Sequence, residues 1–155
     1  MREIRATGTI DQPLPRLLAV LRDVEHYPDF MPPTEKVEVL RQDADTRWAH
    51  ITINPAWISR RDYCVQIRWT RFPDGSMGSR WVQFEDGCPS PQKGVVRHLR
   101  TEGTWRLRAL DDGHTFVEYQ AITDPGGSVP AWLINRGTAK AMRGMFQSLG
   151  KQAAR

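Results

Sequence analysis

The sequence is poor in cysteine and lacks the clustered ligands of a metal site. Its only cysteines, Cys64 and Cys88, belong to no Cys-x-x-Cys pair, and its four histidines lack the spacing that places two ligands on one helical face. We therefore predict neither a metal nor a cofactor. Two cysteines without a secretion signal are more often reduced, structural thiols, although these two could pair if they lie close in space.

Long apolar runs and basic stripes are also missing. No stretch approaches the run of about 18 apolar residues that a membrane span requires, and the N-terminus MREIRATGTIDQP has no apolar signal core. The formal net charge is +4, but Lys and Arg alternate with Asp and Glu instead of clustering as nucleic-acid binding requires. We expect a soluble, cytoplasmic protein without a nucleic-acid partner, and a transient contact with anionic membrane surfaces stays open. The oligomeric state is not specified.

What the sequence does contain is typical of one globular domain. Its 155 residues are 39% hydrophobic and 26% charged, so we assign residues 1–155 to a single domain with one core. Six tryptophans are many for this length. Such large rings must fill either a core or the wall of a cavity.

Alternating apolar residues predict strands over most of the chain. The first runs from Arg2 to Ile10. Six further runs follow at 36–41, 48–54, 62–72, 77–85, 94–110 and 115–123. Their short connections are rich in Asp, Asn, Gly and Pro, and they require antiparallel neighbours because a parallel return needs about a dozen residues. The pattern predicts an antiparallel sheet of about seven strands.

Apolar residues at helical spacing predict two helices. The first covers 14–24, and the segment HYPDFMPP at 26–33 must be an aromatic-rich loop or a single turn because its three prolines interrupt a helix. The second follows the turn Asp-Pro-Gly-Gly, with Ser128 as N-cap and Pro130 in its first turn, and ends near Gln152. Its apolar face comprises Leu133, Ile134, Gly137, Ala141, Met142, Met145 and Leu149.

This order of elements resembles the START-like lipid-binding domains of the helix-grip superfamily, which also contains the birch-pollen-allergen proteins and polyketide cyclases. Four stretches carry the resemblance: YPDFMP at 27–32, ISRRDY at 58–63, EGTWRL at 102–107 and DPGGSVPAWLIN at 124–135. The resemblance extends over nearly the whole chain from about Ala6. It implies an α+β, helix-grip fold in which a curved sheet wraps around the C-terminal helix, with a tunnel between them for a lipid, sterol or other hydrophobic molecule.

Strand alternation and the helix face nominate the residues of that cavity. The apolar set on 63–71 is odd-numbered, and the same parity on 94–110 turns Arg97 and Leu99 inward with Trp105. On 77–85 either parity fits, and we favour Trp81 facing inward. The predicted ligand-binding residues are Val65, Ile67, Trp69, Trp81, Arg97, Leu99, Trp105, Trp132, Leu133, Ala141, Met142 and Met145.

Several of these residues have a structural alternative. Tryptophans and helix-face methionines are more often plain core than ligand platform. An inward Arg97 is either a polar anchor for a ligand or a strand-end residue that pairs with Glu85 or Glu118. We expect Arg61 and Asp62 to form a structural ion pair or a strand-entry contact instead of an acid-base pair.

The leading functional hypothesis is a carrier or sensor that binds a lipid or comparable hydrophobic molecule. One alternative is a cyclase or hydrolase that uses the same cavity, with His98, Asp62 or Arg97 near its substrate. Another is a quinone-binding or chaperone-like module. No residue is assigned a catalytic role, and an enzyme is the less favoured class.

Overall fold

The computed structural model describes residues 2–155, except that the side chains of residues 131–138 lie outside the described part. The strands are β1 (Arg2–Ile10), β2 (Thr34–Gln42), β3 (Thr46–Ile53), β4 (Arg61–Arg71), β5 (Met77–Gln83), β6 (Val96–Arg97), β7 (Arg100–Asp111) and β8 (His114–Asp124). Seven of them form an antiparallel sheet in the order β1-β8-β7-β5-β4-β3-β2, and the short β6 joins this sheet by pairing with β4. The predicted antiparallel sheet of about seven strands is confirmed.

Three helices complete the fold. Helix α1 (Leu14–Arg22) is followed by a single 3-10 turn (Val24–His26) and the one-turn helix α2 (Tyr27–Phe30), while α3 (Ala131–Ala153) closes the chain. The first helix is therefore two residues shorter than predicted, and the aromatic-proline segment contains the expected single turn. Helix α3 has 23 residues, which gives a length of about 35 Å, enough to cross the sheet.

The core lies between the sheet and the helices. Leu17 and Leu21 of α1 are fully buried, as their helical spacing predicts, and they pack with Leu107 of β7 and Leu149 of α3. A second cluster beneath β3 and β4 contains Val24, Ala49, Ile51, Val65, Ile67 and Trp69. The first cluster also contains Met145 and Ala153, so it packs the C-terminal half of α3 against the sheet.

The predicted strand at 94–110 is broken into β6 and β7. Residues Val96 and Arg97 pair in parallel with Arg61 and Asp62 of β4, whereas β7 pairs with β5 and β8. The chain changes neighbours at Leu99, whose N–H donates to the carbonyl of Asp124 at 2.9 Å. Side chains alternate between the two faces only within a continuous strand. The inward parity of β7 therefore does not predict which residues point inward before the break.

Cys64 and Cys88 form a disulfide. The bond ties the β5–β6 connection to β4, on the face opposite Tyr63 and Val65. The expectation of two reduced thiols is wrong, because the fold brings together two residues that are 24 positions apart.

Candidate functional site

A cavity of about 270 Å³ lies between the sheet and α3. Strands β3, β4, β5, β7 and β8, the segment around α2 and the middle of α3 all contribute side chains to its wall. It is lined by Tyr27, Met31, Pro32, Pro33, Thr34, Ile51, Ile53, Tyr63, Val65, Ile67, Ser79, Trp81, His98, Thr101, Trp105, Tyr119, Thr123, Ala141, Met142 and Met145. Most of these side chains are aliphatic or aromatic, which suits an apolar guest.

Three aromatic residues form one side of the cavity. The Tyr119 ring stacks on Trp81 at a centroid distance of 5.6 Å and contacts Trp105 at 4.8 Å. Trp81 fits above its cross-strand neighbour Gly103, because a Cβ at that position would lie 2.6 Å from the indole ring. This glycine thus allows a tryptophan to lie flat along the cavity wall.

The cavity also contains a few polar groups. Trp81 donates its indole N–H to the Thr101 hydroxyl at 3.2 Å, and Ser79 is buried on the same face. The Tyr27 hydroxyl donates to the carbonyl of Leu21, and burial raises the pKa of Tyr27 and Tyr63 above their ordinary value. These tyrosines stay neutral, so they offer hydrogen bonds without charge.

His98 contributes an imidazole to the cavity wall. It is 5% exposed, and its ring lies 4.9 Å from that of Tyr63. Its Nδ1 atom has no hydrogen-bond partner in the described part of the chain. Burial, and secondarily the positive charge of Arg61, lower the pKa of His98 to about 4. The imidazole is therefore neutral at pH 7.

Seven predicted ligand-binding residues line the cavity. Val65 and Ile67 project from β4 with the odd parity that the sequence predicts, and Trp81 and Trp105 project from β5 and β7. Ala141, Met142 and Met145 face it from α3. That these seven side chains contact a ligand stays a prediction.

The remaining predicted residues are placed differently. Trp69 is buried in the second core cluster, outside the cavity wall, and lies beneath the guanidinium groups of Arg22 and Arg47. Leu99 is 71% exposed, so its inward assignment is wrong. Its position at the break between β6 and β7 explains the error, because parity reverses there. Trp132 and Leu133 have side chains outside the described part of the chain.

Arg97 does not face the cavity, so its inward placement is also wrong. Its Nε donates to Oδ1 of Asp62 at 2.8 Å and its Nη1 to Oε2 of Glu85 at 2.9 Å. The alternative of a pair with Glu85 is confirmed, whereas Glu118 pairs with Arg5 on the neighbouring strand. His98 faces the cavity instead, between Arg97 and Leu99, which were predicted to face inward.

Asp62 is the centre of a buried ionic cluster on the outer side of the sheet. Besides Arg97, its carboxylate contacts Nε2 of His50 at 2.8 Å. Burial alone would raise the pKa of Asp62, but the hydrogen bonds from Arg97 and His50 lower it below its ordinary value. The predicted ion pair between Arg61 and Asp62 is wrong, because neighbours on a strand point to opposite faces.

The predicted ligand-binding residues did not include the wall residues His98 and Tyr119, although the enzyme alternative had named His98 as a residue near the substrate. Alternation on β8 could have identified Tyr119, since Val117 and Ala121 on the same parity are buried. No local signal could have identified His98, because its orientation depends on the pairing of β6 with β4.

Beyond one end of the cavity, an open groove separates the β3–β4 connection from the segment that leads into α3. It is lined by Asn54, Pro55, Trp57, Ile58, Ser59, Arg61, Val96, Gly127, Ser128 and Pro130. The Trp57 side chain is 90% exposed at the rim. No helix in the described part is both long and apolar enough to cross a membrane, and no cluster of three or more described His, Cys, Asp or Glu side chains is arranged to hold a metal.

Comparison with known proteins agrees with this architecture. The chain matches the family described as polyketide cyclase / dehydrase and lipid transport over residues 10–149. It is 28% identical over 118 residues to an uncharacterised Pseudomonas aeruginosa protein, a match that covers 76% of this chain and 58% of the relative. The chain thus spans less than two thirds of that relative's length.

Solved structures share the fold. A STAR-related lipid transfer protein fragment from Xanthomonas axonopodis aligns with a TM-score of 0.86 and 27% identity, over 100% of this chain and 87% of the fragment. A Streptomyces aromatase/cyclase aligns with a TM-score of 0.69 and 20% identity, over 99% and 94% of the two chains, and this likeness shows the fold alone. A family match across almost the entire chain, on a sheet that packs around a C-terminal helix, establishes that this protein belongs to the polyketide cyclase / dehydrase and lipid transport family and has the helix-grip fold of START domains.

Proposed function

We propose that the protein binds a lipid or comparable hydrophobic molecule in the cavity between the sheet and α3, as a carrier or sensor. The observation that carries this proposal is the composition of the wall, where aliphatic and aromatic side chains surround a few neutral polar groups. Such a wall favours apolar surface through the hydrophobic effect and orients a ligand by a small number of hydrogen bonds. The lipid transfer protein from Xanthomonas, with 27% identity over the full chain, supports the same function.

The volume of the cavity limits what it encloses. About 270 Å³ lies just below the range of about 300–1,000 Å³ that is usual for small-molecule sites. The enclosed part of the ligand is therefore compact, such as one acyl segment or a small ring system. Met142 and Met145 give the α3 wall flexible side chains that adapt to different shapes.

A matched pair of variants tests the proposal. Val65 is 2% exposed and faces the cavity, whereas Val82 on the neighbouring strand β5 is 46% exposed on the outer face. We expect Val65→Phe to abolish ligand retention because the added ring fills the cavity, and Val82→Phe to leave retention unchanged. Native mass spectrometry of the purified proteins detects the retained species, and thermal denaturation verifies that both variants fold.

Two results would contradict the proposal. One is a wild-type protein that retains no hydrophobic species and shows no thermal shift with a broad lipid panel. The other is a Val65→Phe variant that binds as the wild type does.

His98 supports a second candidate, an enzyme of the cyclase type. A neutral imidazole in an apolar cavity can accept or donate a proton at a bound carbonyl compound. The fold shared with the Streptomyces aromatase/cyclase is compatible with this chemistry. Turnover of a cyclisable polyketone substrate that disappears in His98→Gln, with substrate binding retained, would favour it over a pure binding role.

A transient membrane contact also belongs to this proposal. Trp57 projects from the groove rim at 90% exposure, and tryptophan favours the interface between water and lipid. We expect Trp57→Ala to reduce sedimentation with vesicles that contain anionic lipid. Trp48 offers no equivalent control because it is half-buried and lies against Arg41. Leu110→Ala, at 53% exposure on the sheet, serves instead.

For the compartment, the disulfide argues against the cytoplasm that we expected. Disulfides persist mainly in oxidising compartments, so a cytoplasmic protein would hold Cys64 and Cys88 as thiols. Alkylation of thiols in intact cells, followed by mass analysis of the two cysteines, decides between the two states.

A further inference from the structure

Arg61 is a buried cation whose hydrogen bonds to the described residues go to neutral groups. The residue is 3% exposed, and its Nη1 and Nη2 donate to the carbonyls of Ser59 at 2.7 Å and Gly126 at 3.1 Å. Its Nε has no hydrogen-bond partner among the side chains and backbone groups that the structure describes. Burial lowers the pKa of the Arg61 guanidinium, and no neighbouring carboxylate offsets this effect. Because an uncompensated buried charge is costly, this arrangement calls for an anion.

The acidic side chains near Arg61 are engaged elsewhere or point away. Asp62 lies on the opposite face with Arg97 and His50. The Asp124 carboxylate accepts the N–H of Gly126 at 3.2 Å. Residues 131–138, whose side chains lie outside the described part, contain no Asp or Glu. By contrast, neighbouring Arg60 forms a two-pronged ion pair with Glu35.

The surroundings of Arg61 suit an oxyanion. The groove brings the hydroxyl-bearing residues Ser59 and Ser128 and the amide of Asn54 to the same wall. Gly127, at a φ of 66°, lies so close that a Cβ there would be 3.1 Å from Nη2 of Arg61, so glycine leaves room for the guanidinium. Helix α3 begins just beyond, at Ala131, and the N-terminus of a helix favours negative charge.

The groove and the cavity are separated by the same chain segments. Three chain segments pass from one to the other within two residues: Ile53 lines the cavity and Asn54 the groove, Tyr63 the cavity and Arg61 the groove, His98 the cavity and Val96 the groove. The Arg61 charge also acts on His98 across this wall. A molecule whose chain occupies the cavity can therefore place its end beside Arg61.

We propose that Arg61 binds the anionic head, a carboxylate or phosphate, of an amphipathic ligand whose apolar part occupies the cavity. This inference rests on the proposed function and specifies its ligand class. The planar guanidinium of Arg61 can make a two-pronged contact with an oxyanion through N–H groups other than those donated to the described carbonyls of Ser59 and Gly126. The apolar rim formed by Trp57 and Ile58 adjoins this position and covers the first carbons of the chain.

A fluorescent fatty acid and its methyl ester, matched in chain length, test the proposal by titration. The wild type should bind the acid more tightly than the ester. Arg61→Gln should weaken binding of the acid about tenfold or more, the usual effect of losing a charge-assisted hydrogen bond, and leave the ester unaffected. Arg60→Gln, whose side chain is half exposed and paired with Glu35, is the control and should change neither affinity.

The outcomes separate this inference from the proposed function. Equal wild-type affinity for acid and ester would overturn the role of Arg61 without any variant, whereas failure of both probes to bind would instead count against the cavity as a ligand site. A loss of affinity for both probes in Arg61→Gln would indicate a purely structural arginine. If Arg61→Gln does not fold, Arg61→Lys is the alternative variant. It should weaken binding of the fatty acid by a smaller factor, because lysine keeps the positive charge but cannot make a bidentate hydrogen bond.

A competition experiment distinguishes the source of the oxyanion. A long-chain alkyl phosphate should displace the fluorescent acid, whereas inorganic phosphate at the same concentration should not. Equal displacement by inorganic phosphate would overturn the assignment to a ligand head and indicate a site for free phosphate.

Discussion

Burial of neutral His98 makes the stability of this protein depend on pH in a predictable window. Its pKa in the folded protein is about 4, against about 6.5 in the unfolded chain. Between these values the unfolded chain binds a proton that the folded protein excludes. Stability is therefore complete above pH 6.5 and falls as the pH drops toward 4.

The size of this effect follows from the shift. One pKa unit corresponds to about 1.4 kcal/mol, and proton linkage between pH 7 and pH 4.5 gives a loss of about 2 kcal/mol from His98 alone. The charged groups that act on His98 are Arg61, Asp124 and Asp62. The raised pKa values of His26 and His114 stabilise the fold most below pH 6.5, so they act in the opposite direction.

The assay compares wild type with His98→Gln, which keeps a polar side chain but cannot be protonated. Urea unfolding at pH 7 and pH 4.5 gives the free energy of unfolding of each protein. The wild type should lose about 2 kcal/mol more than the variant between the two conditions. His26→Gln, at an exposed position, is the control and should not remove the acid-side loss. Equal losses in wild type and His98→Gln would refute the reasoning, because they would show that His98 can be protonated freely in the folded protein.

Three further predictions concern stability. Reduction of the disulfide between Cys64 and Cys88, or Cys88→Ser, should lower the free energy of unfolding by about 3 kcal/mol. The unfolded chain then gains the conformational entropy of the segment between residues that are 24 positions apart. An unchanged urea midpoint in dithiothreitol would contradict this prediction. Asp62→Ala should cost about 3–5 kcal/mol in urea unfolding because it removes the buried carboxylate that pairs with the half-buried Arg97. A loss below about 1 kcal/mol would indicate that Glu85 alone is a sufficient partner for Arg97. Leu107→Ala, at a fully buried position, should lower the free energy of unfolding by about 3 kcal/mol in calorimetry. Leu99→Ala, at an exposed position, should change it by less than about 0.5 kcal/mol. Similar losses in the two variants would disprove the orientation of β6 and β7.

The sequence by itself determined the features that depend on local periodicity. The alternation of Val65 and Ile67 on β4 predicts their inward direction, because successive side chains on any strand point to opposite faces. The same holds for Trp105 and Leu107 within β7 and for Met142 and Met145 on α3, whose helical spacing defines one face. These residues need no knowledge of which strand lies beside which.

Only the tertiary structure decided the features that depend on distant segments. The pairing of β6 with β4 turned His98 into the cavity and left Leu99 in solvent, although both belong to a run that reads as one continuous strand. The same packing brought Cys88 to Cys64 and enclosed Arg61 without a carboxylate. Strand pairing, side-chain burial and charge compensation are set by neighbours far apart in the chain, and no local pattern records them.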